Sequence, residues 1–359
     1  MKKIGVMTTG GDCSGLNTVI QRLYRGATLR GWEFIGILDG TDGLCENPPR
    51  IIKFKNDTLP IEAARLAGSF LHNGRADALN FETAAKAGKI ERFNKQIRKA
   101  LLELKLDAII LIGGNGSLSL AWCNKEIYTG LQLVCIPKTI DMDIPLTDRT
   151  IGFNTAVQQL TSFCDQLMLT ARSHHRWFVT QTMGRDCGQL ALNAGIAIGA
   201  TAILIPEIKF DVDALIKHIK NAPTDYGIIL VSEGISLRGH SGKPADMISR
   251  KLTAAGIVNR TAYPEHTQRV GDTTAADRIL ATRMADCALR AIENNETYVM
   301  TAINDCKCET VSLKDFFDSG SVTADPNIPD IKTPDAYVSP DDPLLQIATD
   351  MGIYIGESK

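Results

Sequence analysis

Ala108-Ile109-Ile110-Leu111-Ile112-Gly113-Gly114-Asn115-Gly116-Ser117 is the stretch that decides the fold. Five consecutive apolar residues, three of them β-branched, read as a strand buried on both faces, as in a parallel sheet covered by helices. The glycines then release the chain into a turn, and residues 118–128 read as a helix. A strand that runs through glycines into a helix aims backbone N–H groups, and the positive end of the helix dipole, at an anion.

The same junction occurs on either side. Residues 3–7 are apolar and lead into Thr8-Thr9-Gly10-Gly11-Asp12-Cys13-Ser14-Gly15-Leu16-Asn17, followed by a helix-period segment at 18–30. Residues 131–136 are apolar and lead into Pro137-Lys138-Thr139-Ile140-Asp141-Met142-Asp143-Ile144-Pro145. None of these turns is a GxGxxG fingerprint or a P-loop, and any one of them could be a plain βα turn. Three together belong on the carboxyl edge of one parallel sheet, where open α/β sheets bind ligands, and point to a polyphosphate. Asp141 and Asp143 lie two residues apart. If the segment stays extended, alternation turns both carboxylates to one side: one to take a proton, one to hold a metal, as phosphoryl transfer can use. The competing reading is a turn with two solvated aspartates.

The βα alternation continues. Residues 33–37 read as a strand and 91–104 as a helix, while 44–60 look irregular. A long helix follows Thr150-Ile151-Gly152-Phe153 and reaches Ser173. Strands are expected at 177–181, 202–205 and 226–231 and helices at 189–198, 212–221 and 275–293. The expected fold is α/β, with two doubly wound, Rossmann-like parallel-sheet domains and the active site in the cleft between them. The tail beyond about residue 311 is proline-rich and is expected to wrap the surface.

At 359 residues the chain has room for two such domains. Its 44% hydrophobic and 22% charged content suit a globular protein. A net charge of -2 argues against nucleic acid as a partner. No apolar run approaches the about 20 residues that span a bilayer, and Met1 to Met7 carry no cleavable signal pattern. Nine cysteines are scattered, with a CxC only at Cys306 and Cys308. That is neither a zinc pattern nor a disulfide framework, so reduced thiols and a cytoplasmic location are expected.

Arg176, Arg185, Arg260, His266 and Arg269 stand near expected strand ends in the second half, and Arg75 in a polar loop of the first. Each alone is an ordinary surface cation. Together the second-half set could hold a sugar phosphate, since guanidinium groups match phosphate oxygens, with Glu233 accepting from sugar hydroxyls.

Taken in order, these residues resemble the phosphofructokinase family, nearly to residue 290. The carriers are Gly10-Gly11-Asp12 with Gly15 and Asn17, Gly113 to Ser117, Pro137 to Asp143, and Thr147-Asp148 with Thr150 to Phe153. Ser173 to Arg176, Met183-Gly184-Arg185, Glu233, Arg260 and His266-Thr267-Gln268-Arg269 complete the set. The resemblance implies transfer of a phosphoryl group to the 1-hydroxyl of fructose 6-phosphate, with Mg2+. It makes Asp141 the base, Thr139 and Arg185 its catalytic companions, and Asn115 and Asp143 the metal residues. Gly11, Arg75, Gly114, Asn115, Gly116, Ser117 and Lys138 would hold the donor. Arg176, Arg260, His266 and Arg269 would bind the 6-phosphate, and Met183, Gly184 and Glu233 the sugar. Residues 1–150 plus about 268–315 would form the donor and Mg domain, and 151–267 plus the C-terminal tail the sugar-phosphate domain. A homo-oligomer is implied, a tetramer with shared sites.

Three departures stand out. Asn115 replaces the usual aspartate of the glycine turn, which lowers the negative charge offered to a metal. Met142 replaces the usual asparagine between the aspartates, and residues 264–271 lack glycines usual in the family. A weakly active or regulatory paralogue is therefore a third reading beside the ATP-dependent and pyrophosphate-dependent enzymes. Gly116 leaves room for the rest of a nucleotide, Lys138 is typical of pyrophosphate users, and Leu120 narrows the adenine side; ATP is the expected donor. Arg22, Arg25 and Glu207 match effector-site positions, but the approach Asn221-Ala222-Pro223-Thr224-Asp225 carries no cation, so little response to ADP or phosphoenolpyruvate is expected.

Overall fold

The structure is a computed structural model that describes residues 1–55, 58–74, 90–235, 242–319 and 338–356. The strands, in chain order, are β1 Lys3–Thr8, β2 Glu33–Ile37, β3 Ile51–Lys53, β4 Ala108–Gly113, β5 Gln132–Thr139, β6 Ile151–Gly152, β7 Trp177–Thr182, β8 Ala202–Leu204, β9 Gly227–Ser232, β10 Asn259–Ala262, β11 Val299–Asn304 and β12 Lys307–Ser312. Two compact units result. The first comprises Met1–Thr139, Asp143–Gly152 and Asp272–Pro334; the second comprises Ile140–Met142, Phe153–Gly271 and Asp335–Lys359.

In the first unit the sheet order is β12-β11-β5-β4-β1-β2-β3, with β6 beside β5. Every residue of β4 is buried, as a central parallel strand requires. β5, β4, β1 and β2 run parallel, so the three glycine- and carboxylate-bearing turns leave neighbouring strands at one edge. The sheet is mixed, not wholly parallel: β3 and β12 are antiparallel edge strands. β3 lies within the stretch expected to be irregular. β11 and β12 form a hairpin whose two turn residues, Asp305 and Cys306, both have positive φ (46° and 62°). Such a turn usually advertises itself with glycine or asparagine, and this one does not. Met7, Ile35, Ile109, Leu111, Leu133 and Cys135 build the core against Leu101, Leu118 and Phe316. On the other face the helices Leu16–Leu29 and Ala275–Glu293 pack closely: a Cβ at Gly26 would lie 2.4 Å from Leu289 Cδ1.

The second unit is built on a four-stranded sheet, β10-β7-β9-β8, parallel throughout. Val179, Ile229 and Val231 pack under Leu215, Ile248 and Leu252. The described part of the tail is not a surface wrap. Val338, Leu345, Ala348, Ile353 and Ile355 form a core with Leu192, Ile203 and Ile205. Tyr354 extends the sheet edge, its carbonyl accepting from Ile203 N at 2.8 Å and its N–H donating to Thr201 O at 3.1 Å. The helix expected over 118–128 is a helix Asn115–Cys123 followed by a 3-10 turn Lys125–Tyr128. No helix among the described residues is long and apolar enough to cross a membrane.

Candidate active site

The first unit gathers the glycine turns and Lys138 where β1, β4 and β5 end. Thr9 N donates to Ile112 O at 3.0 Å, tying the first turn to the second. Gly10 has φ 77°, and a Cβ there would lie 3.2 Å from Ser117 Oγ and 3.7 Å from Lys138 Nζ. Lys138 is buried, and its ammonium donates to the Gly11 carbonyl, so one cation anchors the glycine turn it faces. Gly114 precedes the helix Asn115–Cys123, whose first N–H groups have no carbonyl within the helix to bond. A Cβ at Gly116 would point into open space.

Asn115 is buried, with Nδ2 donating to the Asp143 carbonyl at 2.8 Å. Its Oδ1 is a buried oxygen without a hydrogen-bond partner among the described residues. Together with the buried carboxylate of Asp143, this makes an oxygen-donor set that suits a hard cation. The described residues contain no cluster of three His, Cys, Asp or Glu able to hold a metal. One carboxylate and one amide, completed by substrate phosphates, is the manner in which Mg2+ is usually held, so the residues fit it. Thr139, also buried, accepts from Thr150 Oγ1 at its carbonyl (2.9 Å).

The segment between the aspartates is not extended. Met142 has φ 59°, in the left-handed region, so the alternation that would turn Asp141 and Asp143 to one side does not apply. Asparagine tolerates that conformation; a methionine is strained by it.

In the second unit β7 ends at a loop that carries Arg185. The Arg185 Nε lies 3.7 Å from Asp141 Oδ2. Glu233 Oε1 accepts from Gly184 N at 3.1 Å and from Arg185 N at 2.9 Å, while Gln268 Oε1 accepts from Met183 N at 3.1 Å. A Cβ at Gly234 would lie 2.1 Å from the Arg185 carbonyl oxygen, so only glycine lets the two turns approach. His266 and Arg269 sit on the 3-10 turn Glu265–Arg269 that follows β10. Met183, Gly184, Arg185, Glu233, His266 and Arg269 therefore share the carboxyl edge of this sheet.

Arg176 and Arg260 do not join them. Arg176 precedes the first residue of β7, and Arg260 lies in register with Phe178, the second. A six-residue strand spans about 20 Å, which separates Arg176 from the turn at Met183. Arg75 lies outside the described residues. The buried Gln268 was not expected to have a site role; its only signal was a lone amide between His266 and Arg269.

Over residues 3–292 the chain matches the phosphofructokinase family. The chain belongs to that family. It is 34% identical to ATP-dependent 6-phosphofructokinase 1 of Nostoc sp., over 99% of each chain. It is 36% identical to the ATP-dependent 6-phosphofructokinase of Natranaerobius thermophilus, over 88% of this chain and 94% of that one. The pyrophosphate--fructose 6-phosphate 1-phosphotransferase of Amycolatopsis mediterranei is 34% identical, over 87% of this chain and 94% of the other. Among solved structures, phosphofructokinase from Saccharomyces cerevisiae superposes with a TM-score of 0.77 at 28% identity, over 88% of this chain and 45% of the yeast chain. This chain thus spans less than half the length of that yeast phosphofructokinase.

Proposed function

We propose that the chain is a 6-phosphofructokinase that moves the terminal phosphoryl group of ATP to the 1-hydroxyl of fructose 6-phosphate, giving fructose 1,6-bisphosphate and ADP. The observation that carries the reading is a buried carboxylate, Asp141, 3.7 Å from the guanidinium of Arg185. In the transfer, the 1-hydroxyl oxygen bonds to the terminal phosphorus and the bridging P–O bond breaks. Asp141 takes the hydroxyl proton, as a general base must. Arg185 balances charge spread over the equatorial oxygens, and Thr139 orients the moving group.

Gly11, Arg75, Gly114 to Ser117 and Lys138 hold the donor phosphates. Met183, Gly184 and Glu233 hold the sugar, and His266 and Arg269 its 6-phosphate. Asn115 and Asp143 are the residues that would hold Mg2+, which when bound supplies charge neutralisation at the donor phosphates. Arg176 and Arg260 stand at the amino edge of the sheet that carries Glu233 at its carboxyl edge. That supports a homo-oligomer, read as a tetramer, in which a second copy contributes these two arginines.

The open space at Gly116 supports ATP over pyrophosphate. The buried Lys138 beside the glycine turn, and the pyrophosphate-dependent relative, keep pyrophosphate as the second reading. One coupled assay decides: formation of fructose 1,6-bisphosphate with MgATP, with magnesium pyrophosphate, and with neither. Product with MgATP is expected. Product with pyrophosphate alone overturns the donor, and product with neither supports the regulatory reading.

A further inference from the structure

We propose that Glu207 is a positioning residue for Arg185: it clamps the far end of the loop that presents the guanidinium, just as Glu233 clamps the near end. The proposal rests on Arg185 acting in the transfer as read above.

The loop Gly184 to Gly188 is short and bent. Gly184 has φ 131° and Arg185 φ 53°, and Cys187 N donates back to Gly184 O at 3.0 Å. An arginine in the left-handed region persists only where its surroundings impose it. Two carboxylates impose it here. Glu233 Oε1 takes the N–H groups of Gly184 and Arg185 where the loop begins. Glu207 Oε1 takes the N–H of Gly188 at 2.8 Å where it ends.

The second clamp is packed directly beneath the backbone. A Cβ at Gly188 would lie 2.6 Å from Glu207 Oε2 and 2.5 Å from Ile205 Cβ, so glycine is needed for the carboxyl to sit there. The Glu207 carboxyl also faces its own N–H and that of Val338, with Asp186 the nearby like charge. Val338 belongs to the core formed with Leu192 and Ile205, so the described tail also passes close to this carboxyl. Glu207 is given no substrate contact in the reaction above. Its Oε1 is engaged by the Gly188 N–H, which gives it work distinct from the effector contact its position suggests.

Glu207 also stands at the start of the helix Gln189–Ala197, where a carboxylate is favoured by the dipole. A purely structural role must therefore be separated from positioning. Glu207→Ala is expected to lower kcat about 10- to 100-fold, the scale of a misplaced catalytic group, with KM for ATP and fructose 6-phosphate nearly unchanged. Glu207→Gln keeps an oxygen for the Gly188 N–H and is expected to restore most of kcat. In an Arg185→Ala background, Glu207→Ala should lower kcat no further, because the group it positions is gone.

Amide hydrogen exchange provides a readout that needs no turnover: Glu207→Ala should deprotect both Gly188 and Arg185. The proposal is overturned if folded Glu207→Ala keeps the wild-type kcat, if its effect is undiminished without Arg185, or if Arg185 protection is unchanged. If the wild-type chain forms no product with either donor, the proposed function has failed. The exchange measurement then still judges the clamp, since unchanged protection at Arg185 overturns it.

Discussion

Asp141 Oδ2 lies 3.7 Å from Arg185 Nε, with the carboxylate side chain only 6% exposed and the guanidinium side chain 53% exposed. The carboxylate is held fast while its partner reaches solvent, where a substrate's charged group can be met. In the proposed transfer this asymmetry would divide the labour, the buried member taking the proton and the exposed member following the charge.

Asp141→Asn keeps the shape and removes the proton acceptor. It is expected to lower kcat by about 10²- to 10⁴-fold, the usual weight of a general base, with KM for either substrate changed little. Steady-state kinetics with MgATP check it; an undiminished kcat removes Asp141 from the mechanism.

Asn115→Asp has two opposed effects. A second carboxylate should lower the half-saturating Mg2+ concentration in the kinase assay. It also replaces the amide that donates to the Asp143 carbonyl at 2.8 Å, setting oxygen against oxygen, which costs about 1–3 kcal/mol. The metal-free variant should therefore unfold several degrees below the wild type, and added Mg2+ should recover the difference. Thermal scans with and without Mg2+ test this, and an unchanged metal-free midpoint would count against the hydrogen bond.

The elements legible in advance were those with a periodic or uniformly apolar pattern. β4, β9 and the helix Ala275–Glu293 declare themselves because burial on both faces, or along one helical stripe, dictates residue type position by position. β3, β6 and β10 are too short to show a period, and the turn at Asp305 and Cys306 has a cysteine where glycine usually marks a hairpin. At the site, residue letters pointed to Asp141, Arg185 and the glycine turns. They could not reveal that Glu233 grips two backbone N–H groups, since such donors carry no side-chain signature. Nor could they show that Met142 bends the segment between the aspartates: alternation assumes an extended backbone, and one positive φ cancels it.

That positive φ makes Met142→Asn a stabilising change. At φ 59° a methionine carries strain that asparagine largely escapes. Relief of about 0.5–1 kcal/mol is expected, which raises the unfolding midpoint by about 1–4 °C in a unit of this size. Differential scanning calorimetry of the two proteins checks it. A lower midpoint would mean that packing of the half-buried methionine outweighs the backbone term.

The opposite placement of Arg176 and Glu233 on one sheet leads to a complementation experiment. Arg176 precedes β7 and Glu233 follows β9, two parallel strands paired in register, so the two residues mark opposite edges. If a second copy supplies Arg176, each active site combines Asp141 of one chain with Arg176 of another. Arg176→Ala and Asp141→Asn homo-oligomers should each be nearly inactive. Co-refolded in equal amounts, a mixed pair places both lesions in one site and leaves the other site intact. Random pairing then restores about a quarter of wild-type activity, as the symmetry of a shared interface requires. Activity that stays at the level of the separate variants, in a mixture shown by native mass spectrometry to contain mixed oligomers, would rule out the shared site.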